Sequence, residues 1–327
     1  MIGNPQEMAA LTHNLVTSVW TLGAIGALFE SGLVDPLKES CSLDDLAARC
    51  PGLSRGRIER CLGVAAAAGV VTRDGERYRL AEGAVPFAQP PMRAGFQGEI
   101  RTMLMQAVAL LDSSSGSRAS AGWSHTDRAL LQSMGDASGR FAPMFKGGIV
   151  ASLGDLAARL ERPGARFLDV GVGVASLSIA MCRAFPELHV VGLDNYDVPL
   201  GIARENVART GLSDRIELRL LAVEDLPDEQ AFDLAWLPSF FIAPAAIASA
   251  VARVRAALRP GGWMVFPVAS SAGDDRQRAV FALMGEIWGG PGLSAVEAES
   301  LLKQAAFSQV RTLPGPPGAP VTLVAER

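Results

Sequence analysis

Two carboxylates and two glycines carry the first chemical signal in this chain. Asp169 stands two residues before Gly171 and four before Gly173, in the run FLDVGVGVASLSIA. Where a strand turns into a helix, glycines without Cβ atoms let the backbone come close to a ligand. The run HVVGLDN then ends on Asp194 and Asn195. An acidic residue roughly 20 positions after such a turn is spaced to hold ribose hydroxyls. The residue three after Gly173 is Ser176. The third glycine of the nicotinamide-binding pattern is therefore missing, which argues against that ligand.

Groups that move protons are scarce. Histidine occurs only at His13, His125 and His189. His13 and Asn14 lie on an uncharged N-terminal helix. Trp123, His125 and Asp127 form GWSHTD just before a helix, where Ser124 or Thr126 can serve as a cap. Tyr196 follows Asp194 and should lie near the ligand, whereas His189 reads as a structural residue of its strand. Trp236, Phe240 and Phe241 can cage a cation by cation–π contact or simply pack as core. Phe141 and Met144 are candidates for a pocket wall. No metal is expected: a two-His site would need His13 and His125 to converge. Cys41, Cys50, Cys61 and Cys182 form no CxxC pair, so they read as reduced thiols of a cytoplasmic protein.

The elements that would position these groups fall into three regions. At 327 residues and 49% hydrophobic content the chain can bury large cores. Residues 1–92 read as a winged helix. Ser42 and Asp45 form a capping-box pattern, Ser54 opens a second helix ending at Gly69, and two short strands flank Asp74-Gly75. Residues 93–163 read as a helical connector or lid, with helices over Gly95–Leu111, Thr126–Met134 and Ala137–Leu160. A polar linker, Ser113–Gly122, lies between the first two. Residues 164–327 alternate apolar strands with helices, which predicts a parallel sheet. The final strands, joined by GPPG, are expected to form an antiparallel hairpin.

Charge narrows the partners. The net charge is −4. Residues 1–93 carry nine Lys/Arg and ten Asp/Glu, so the winged helix lacks the basic face of a nucleic-acid reader. Met8–Phe29 holds no Lys, Arg, Asp or Glu. Asn14, Thr17, Ser18 and Thr21 share one helical face there. The stretch is expected to be a buried helix at a homodimer interface, its polar stripe toward a cavity, and neither a signal peptide nor a membrane span.

The motif set resembles the class I S-adenosylmethionine-dependent methyltransferases. It comprises the D-x-G-x-G turn (Asp169, Gly171, Gly173), the acidic strand end (Asp194), FDLAWLP and LRPGGWMVF (Leu258–Phe266). The module before it makes the whole chain similar to small-molecule O-methyltransferases with a winged-helix dimerisation domain. The implied fold is an α/β Rossmann-like methyltransferase domain behind a mainly α N-terminal domain. The implied cofactor is S-adenosyl-L-methionine. Asp169 would fix its amino group, Gly171 and Gly173 would line it, and Asp194 would hold the ribose. Asn195, Glu224, Asp225 and Leu237 complete the implied cofactor set.

Two positions depart from the family. Its third-strand motif commonly places an adenine-binding Asp where this chain has Ala222, and Glu224 or Asp225 are the local substitutes. Many of the O-methyltransferases also carry a His-Asp pair just after the fourth strand. Residues 236–242 here read WLPSFFI. A small-molecule methyltransferase of natural-product metabolism, working without the usual base, is the leading expectation. The alternative is a cyclase that makes azetidine-2-carboxylate and methylthioadenosine from S-adenosylmethionine alone, as azetidine-2-carboxylate synthases of this fold do. A cofactor-sensing DNA-binding regulator is the third reading, opposed by the neutral winged helix.

Overall fold

Capping residues and glycines set the ends of most elements, and apolar runs set the strands. The computed structural model describes residues 2–90, 92–112, 125–139, 142, 145–269, 273–315 and 320–327. The Ser113–Gly122 linker, Trp123, Phe141 and Met144 lie outside them. The chain divides into two units, Met1–Leu111 and Asp112–Arg327.

The first unit opens with helix α1 (Pro5–Glu30). Asn4 caps it by accepting from the Glu7 N–H, and Pro5 takes the first-turn position that needs no donor. Residues 5–20 are exposed, and full burial begins only at Gly26. The expectation of a buried helix is therefore not met within one chain. The hydroxyls of Thr17, Ser18 and Thr21 bond back to the carbonyls of His13, Asn14 and Thr17. Absence of charge marks a face suited to burial, but the covering surface has to exist.

Strand β1 (Cys41–Ser42) leads into α2 (Leu43–Arg49), and the Ser42/Asp45 capping box forms as expected. Such caps contribute about 1 kcal/mol. Helix α3 (Arg55–Ala67) is capped by Ser54, and the chain leaves it through Gly69 at φ 75°. Strands β2 (Val71–Asp74) and β3 (Arg77–Leu80) pair antiparallel around Gly75, with β1 on the other side of β3. Helix α4 (Met92–Asp112) follows. Its Arg93 and Gln97 donate to the Phe29 carbonyl at the end of α1. Phe29, Leu37, Leu46, Ile58, Leu62 and Tyr78 are among the core residues.

The second unit starts with α5 (Arg128–Gly139). The continuous helix expected over Ala137–Leu160 does not form. A π-turn (Phe145–Ile149), a 3-10 turn (Val150–Ser152) and the short α6 (Leu156–Leu160) replace it. Gly147, Gly148 and Gly154, the last at φ 58°, weaken helical continuity there.

The sheet then forms as the apolar runs predict. Its strands are β4 (Arg166–Val170), β5 (His189–Asp194), β6 (Ile216–Leu220), β7 (Phe232–Trp236), β8 (Leu258–Val268), β9 (Ser308–Leu313) and β10 (Val321–Glu326). Helices α7 (Ser176–Ala184), α8 (Asp197–Thr210) and α9 (Ile247–Ala257) cross between β4 and β5, β5 and β6, and β7 and β8. Helices α10 (Asp275–Ile287) and α11 (Ala295–Gln304) precede β9. The order across the sheet is β6-β5-β4-β7-β8-β10-β9. β4 to β8 run parallel, while β10 is antiparallel to both β8 and β9. This is a Rossmann-like α/β sheet closed by the expected hairpin. The chain reverses its direction of travel across the sheet beside β4, and ligands of open α/β sheets bind at such switch points. Among the described residues, no helix is long and apolar enough to cross a membrane.

Candidate active site

The two carboxylates converge at the switch point because each ends a neighbouring strand. β4 and β5 pair in register from Arg166 with His189 to Val170 with Leu193. Asp169 is 2% exposed, and its Oδ2 accepts from the Ser178 hydroxyl at 2.6 Å. Asp194 accepts from two backbone donors, the Gly173 N–H at 3.0 Å and the Tyr196 N–H at 3.0 Å. The turn between the strands is held by Val172 N–H donating to the Leu193 carbonyl at 2.8 Å. Gly171 and Gly173 take φ of 68° and 55°, the left-handed region that glycine enters without steric cost. Ala175, at φ 65°, enters it without being glycine. Gly192 supplies close approach: a Cβ there would meet Val172 Cγ2 at 2.6 Å.

Burial decides the electrostatics. It raises Asp169 to about 7, helped by the charge of Asp194 and opposed by Ser178. Burial also raises Asp194 to about 6, against the Gly173 and Tyr196 N–H groups. Among the described residues, no Lys or Arg forms an ion pair with either carboxylate. Buried carboxylates without a cation are costly, so the site suits a ligand carrying one. Each oxygen of Asp194 has a second acceptor position beyond its backbone bond, enough for a pair of ribose hydroxyls. These acceptor sets are of the kind that an ammonium and a vicinal diol, as S-adenosylmethionine carries, would need.

The remaining cofactor candidates are placed unequally. Tyr196 is half-buried and stands at the start of α8 without a side-chain capping bond, and Asn195 is exposed. The Leu221 N–H continues β6 by bonding the Asp194 carbonyl at 2.9 Å. Ala222 then leads into a 3-10 turn, Val223–Asp225, on which Glu224 and Asp225 are exposed. Leu237 is fully buried beyond β7, its N–H on the Val265 carbonyl.

The end of β7 is aromatic. Trp236 is buried in the main core and meets Phe145 edge-on with ring centres 5.3 Å apart. Phe240 and Phe241 sit on a short turn, Ser239–Phe241, and both pack on Trp288 at 5.3 and 5.7 Å. A Cβ on Gly290 would meet Phe240 Cα at 2.4 Å, so the segment after α10 lies directly against this turn. His125 is half-buried, and burial lowers its pKa. His189 is exposed at the start of β5. His13 and Asn14 are exposed on α1 of the first unit.

Four contributors were not visible to sequence reasoning. Ser178, Gly192, Asn206 and Trp288 reach their partners across the fold. Only Ser178, two residues into α7, lay close enough to the glycine turn for spacing to suggest it.

A family model described as a methyltransferase domain matches residues 167–262. The match takes in the glycine turn, both carboxylate-bearing strand ends and the start of β8. A similar curated protein is the ubiquinone biosynthesis O-methyltransferase of Hahella chejuensis. It is 33% identical over 136 residues, covering 39% of this chain and 51% of that protein. Across the curated relatives the match spans between 19% and 56% of their lengths.

Solved structures extend the likeness over both units of the chain. CalO1, a methyltransferase in calicheamicin biosynthesis with SAH bound, gives a TM-score of 0.66 at 18% identity, over 99% of each chain. The mitomycin 7-O-methyltransferase MmcR gives 0.63 at 19% identity, over 99% of this chain and 100% of that one. At such identities the likeness concerns the fold.

Proposed function

We propose that this protein transfers the methyl group of S-adenosylmethionine to a small molecule of natural-product metabolism. The carrying observation is the buried Asp169 and the half-buried Asp194 beside a glycine turn, with no cation among the described residues paired to either. Bound there, S-adenosylmethionine supplies a methyl group already activated by its sulfonium. The protein's part is to grip and orient. Asp169, held by Ser178, neutralises an ammonium. Asp194, oriented by two N–H groups, takes the ribose. The aromatic end of β7 faces chemistry without a titratable group over residues 236–242, so positioning carries the rate there. That favours an acceptor needing little deprotonation, such as an enol, an amine or an activated carbon.

The same base-free wall favours a second reading, in which the ligand's own amine attacks its γ-carbon. The C–S bond then breaks, methylthioadenosine leaves, and the ammonium proton passes to solvent. One experiment separates the two. The protein is incubated with S-adenosylmethionine alone and with panels of phenols, enols and amines, and products are read by mass spectrometry. S-adenosylhomocysteine appearing only with an acceptor supports methyl transfer. Methylthioadenosine above the spontaneous background, without acceptor, supports cyclisation. Absence of cofactor binding at millimolar concentration overturns both.

The first unit serves self-association in this proposal. α1 exposes Leu11, Leu15, Val16, Val19 and Trp20, an apolar surface suited to a second copy. Arg55, one of three arginines on α3, is paired with Asp44 at 2.8 Å, and the near balance of acidic and basic residues over 1–93 disfavours DNA as a partner. Four free thiols, Cys41, Cys50, Cys61 and Cys182, suit a reducing cytoplasm. Light scattering should return a dimer mass, and a monomer at micromolar concentration would reject this assignment.

A further inference from the structure

Asn206 lies on α8, one helix away from the residues that would hold the cofactor, and is 7% exposed. Its Nδ2 donates twice, to the Val174 carbonyl at 2.9 Å and to Gln132 Oε1 at 3.1 Å. Its Oδ1 accepts from Arg209. Gln132, on α5, donates through Nε2 to Asp136 Oδ1 at 2.9 Å. The two amides are therefore locked in one orientation by partners at both ends. Val174 belongs to the cofactor turn, between Gly173 and the left-handed Ala175. A carbonyl in so irregular a turn has no ladder partner and needs a side-chain donor.

Apolar contact joins the same three elements. Leu131 of α5, Val174 of the turn and Ile202 of α8 form a small buried cluster of their own. α5 approaches the turn closely because Gly135 lacks a side chain: a Cβ there would meet Val174 Cγ2 at 2.0 Å and Ser176 Oγ at 3.0 Å. Arg128 and Glu205 add an ion pair between α5 and α8.

We propose that Asn206 is a positioning residue and that α5 is a clamp, together holding the cofactor turn in its binding geometry. The coupling runs through one residue. Gly173, immediately before Val174, gives the N–H that orients Asp194. If Val174 shifts, that N–H shifts, and the carboxylate that grips the ribose loses its aim. The inference rests on the cofactor reading proposed above.

The test is calorimetric titration of S-adenosylmethionine into the full-length protein and its variants. Asn206→Ala should raise Kd roughly tenfold by removing both donors, with Gln132→Ala showing a smaller rise. Gly135→Ala should also weaken binding, because its methyl pushes α5 off Val174. If Asn206 acts through Asp194, the double variant Asn206→Ala/Asp194→Ala should bind no more than about twofold worse than Asp194→Ala alone. A purely structural Asn206 would give additive losses. Gln132 is half-buried, so Gln132→Ala carries the test if Asn206→Ala fails to fold. Wild-type binding with unchanged Kd in Asn206→Ala and Gln132→Ala overturns the clamp. Failure of the wild type to bind overturns the cofactor reading itself, and the clamp with it.

Discussion

The two sides of the switch point are made of opposite materials. The side formed by β4 and β5 is polar and local: Asp169, Ser178, Gly173, Asp194 and the Tyr196 N–H all fall within 28 residues of chain. The side formed by the end of β7 is apolar and assembled from afar. Phe240 and Phe241 meet Trp288, which arrives nearly 50 residues later through α10. Gripping a charged, hydroxylated cofactor takes fixed donors and acceptors at fixed spacing. Shaping a space for an acceptor takes bulk, which any segment can deliver. The two halves should therefore be separable by mutation.

The largest test of that separation is Trp288→Ala. Removing this buried ring should cost about 3–5 kcal/mol of stability, read from the denaturation midpoint, yet leave the Kd for S-adenosylmethionine within about twofold. A Kd loss as large as that of a carboxylate variant would merge the two halves. Next comes Asp194→Ala. It should weaken cofactor binding by about 1–3 kcal/mol through lost charge-assisted hydrogen bonds, and an unchanged Kd in titration would refute its ribose role.

Third is the pH response of the polar half. Asp169 sits at about 7 in the fold against an ordinary 3.8. Its neutral form is thus favoured by folding, and this contribution to stability is full below about 3.8 and fades as pH rises toward 7. Cofactor binding has the opposite sign, because an ammonium wants the carboxylate ionised. Affinity should rise with pH up to about 7, by at most about tenfold per unit from this group, and then flatten. Calorimetry in two buffers of different ionisation enthalpy should show proton release on binding below pH 7. Affinity falling with rising pH would place the cation elsewhere. The smallest effect is expected at Glu224→Gln, since that side chain is exposed beyond β6: its Kd should change by less than about threefold, and a larger loss would give Glu224 the adenine contact that Ala222 cannot make.

Local order explains what could be read from the residues alone. β4, β5 and β7 were legible because each is a short apolar run closed by Gly, Asp or Pro, and the Ser42 cap because a capping box spans four residues. Asp169 and Asp194 were legible because β4 and β5 are adjacent in both sequence and sheet. The helix expected over Ala137–Leu160 does not run through because the span carries four glycines, Gly139, Gly147, Gly148 and Gly154. α1 was expected to be buried at a homodimer interface because it lacks charge; in the single chain its residues 5–20 are exposed. Asn206, Gly192 and Trp288 stayed hidden for one reason: their roles are contacts with Val174, Val172 and Phe240, and only folding brings those pairs together.

The exposed first turns of α1 give the protein an optical handle. Trp236, Trp263 and Trp288 are buried, while Trp20 is 76% exposed. Water around an indole pulls its emission to the red, and a covering surface pulls it back toward the blue. Fluorescence from Trp20 should thus shift with protein concentration as copies associate, an unlabelled readout of assembly that Trp20→Phe would silence.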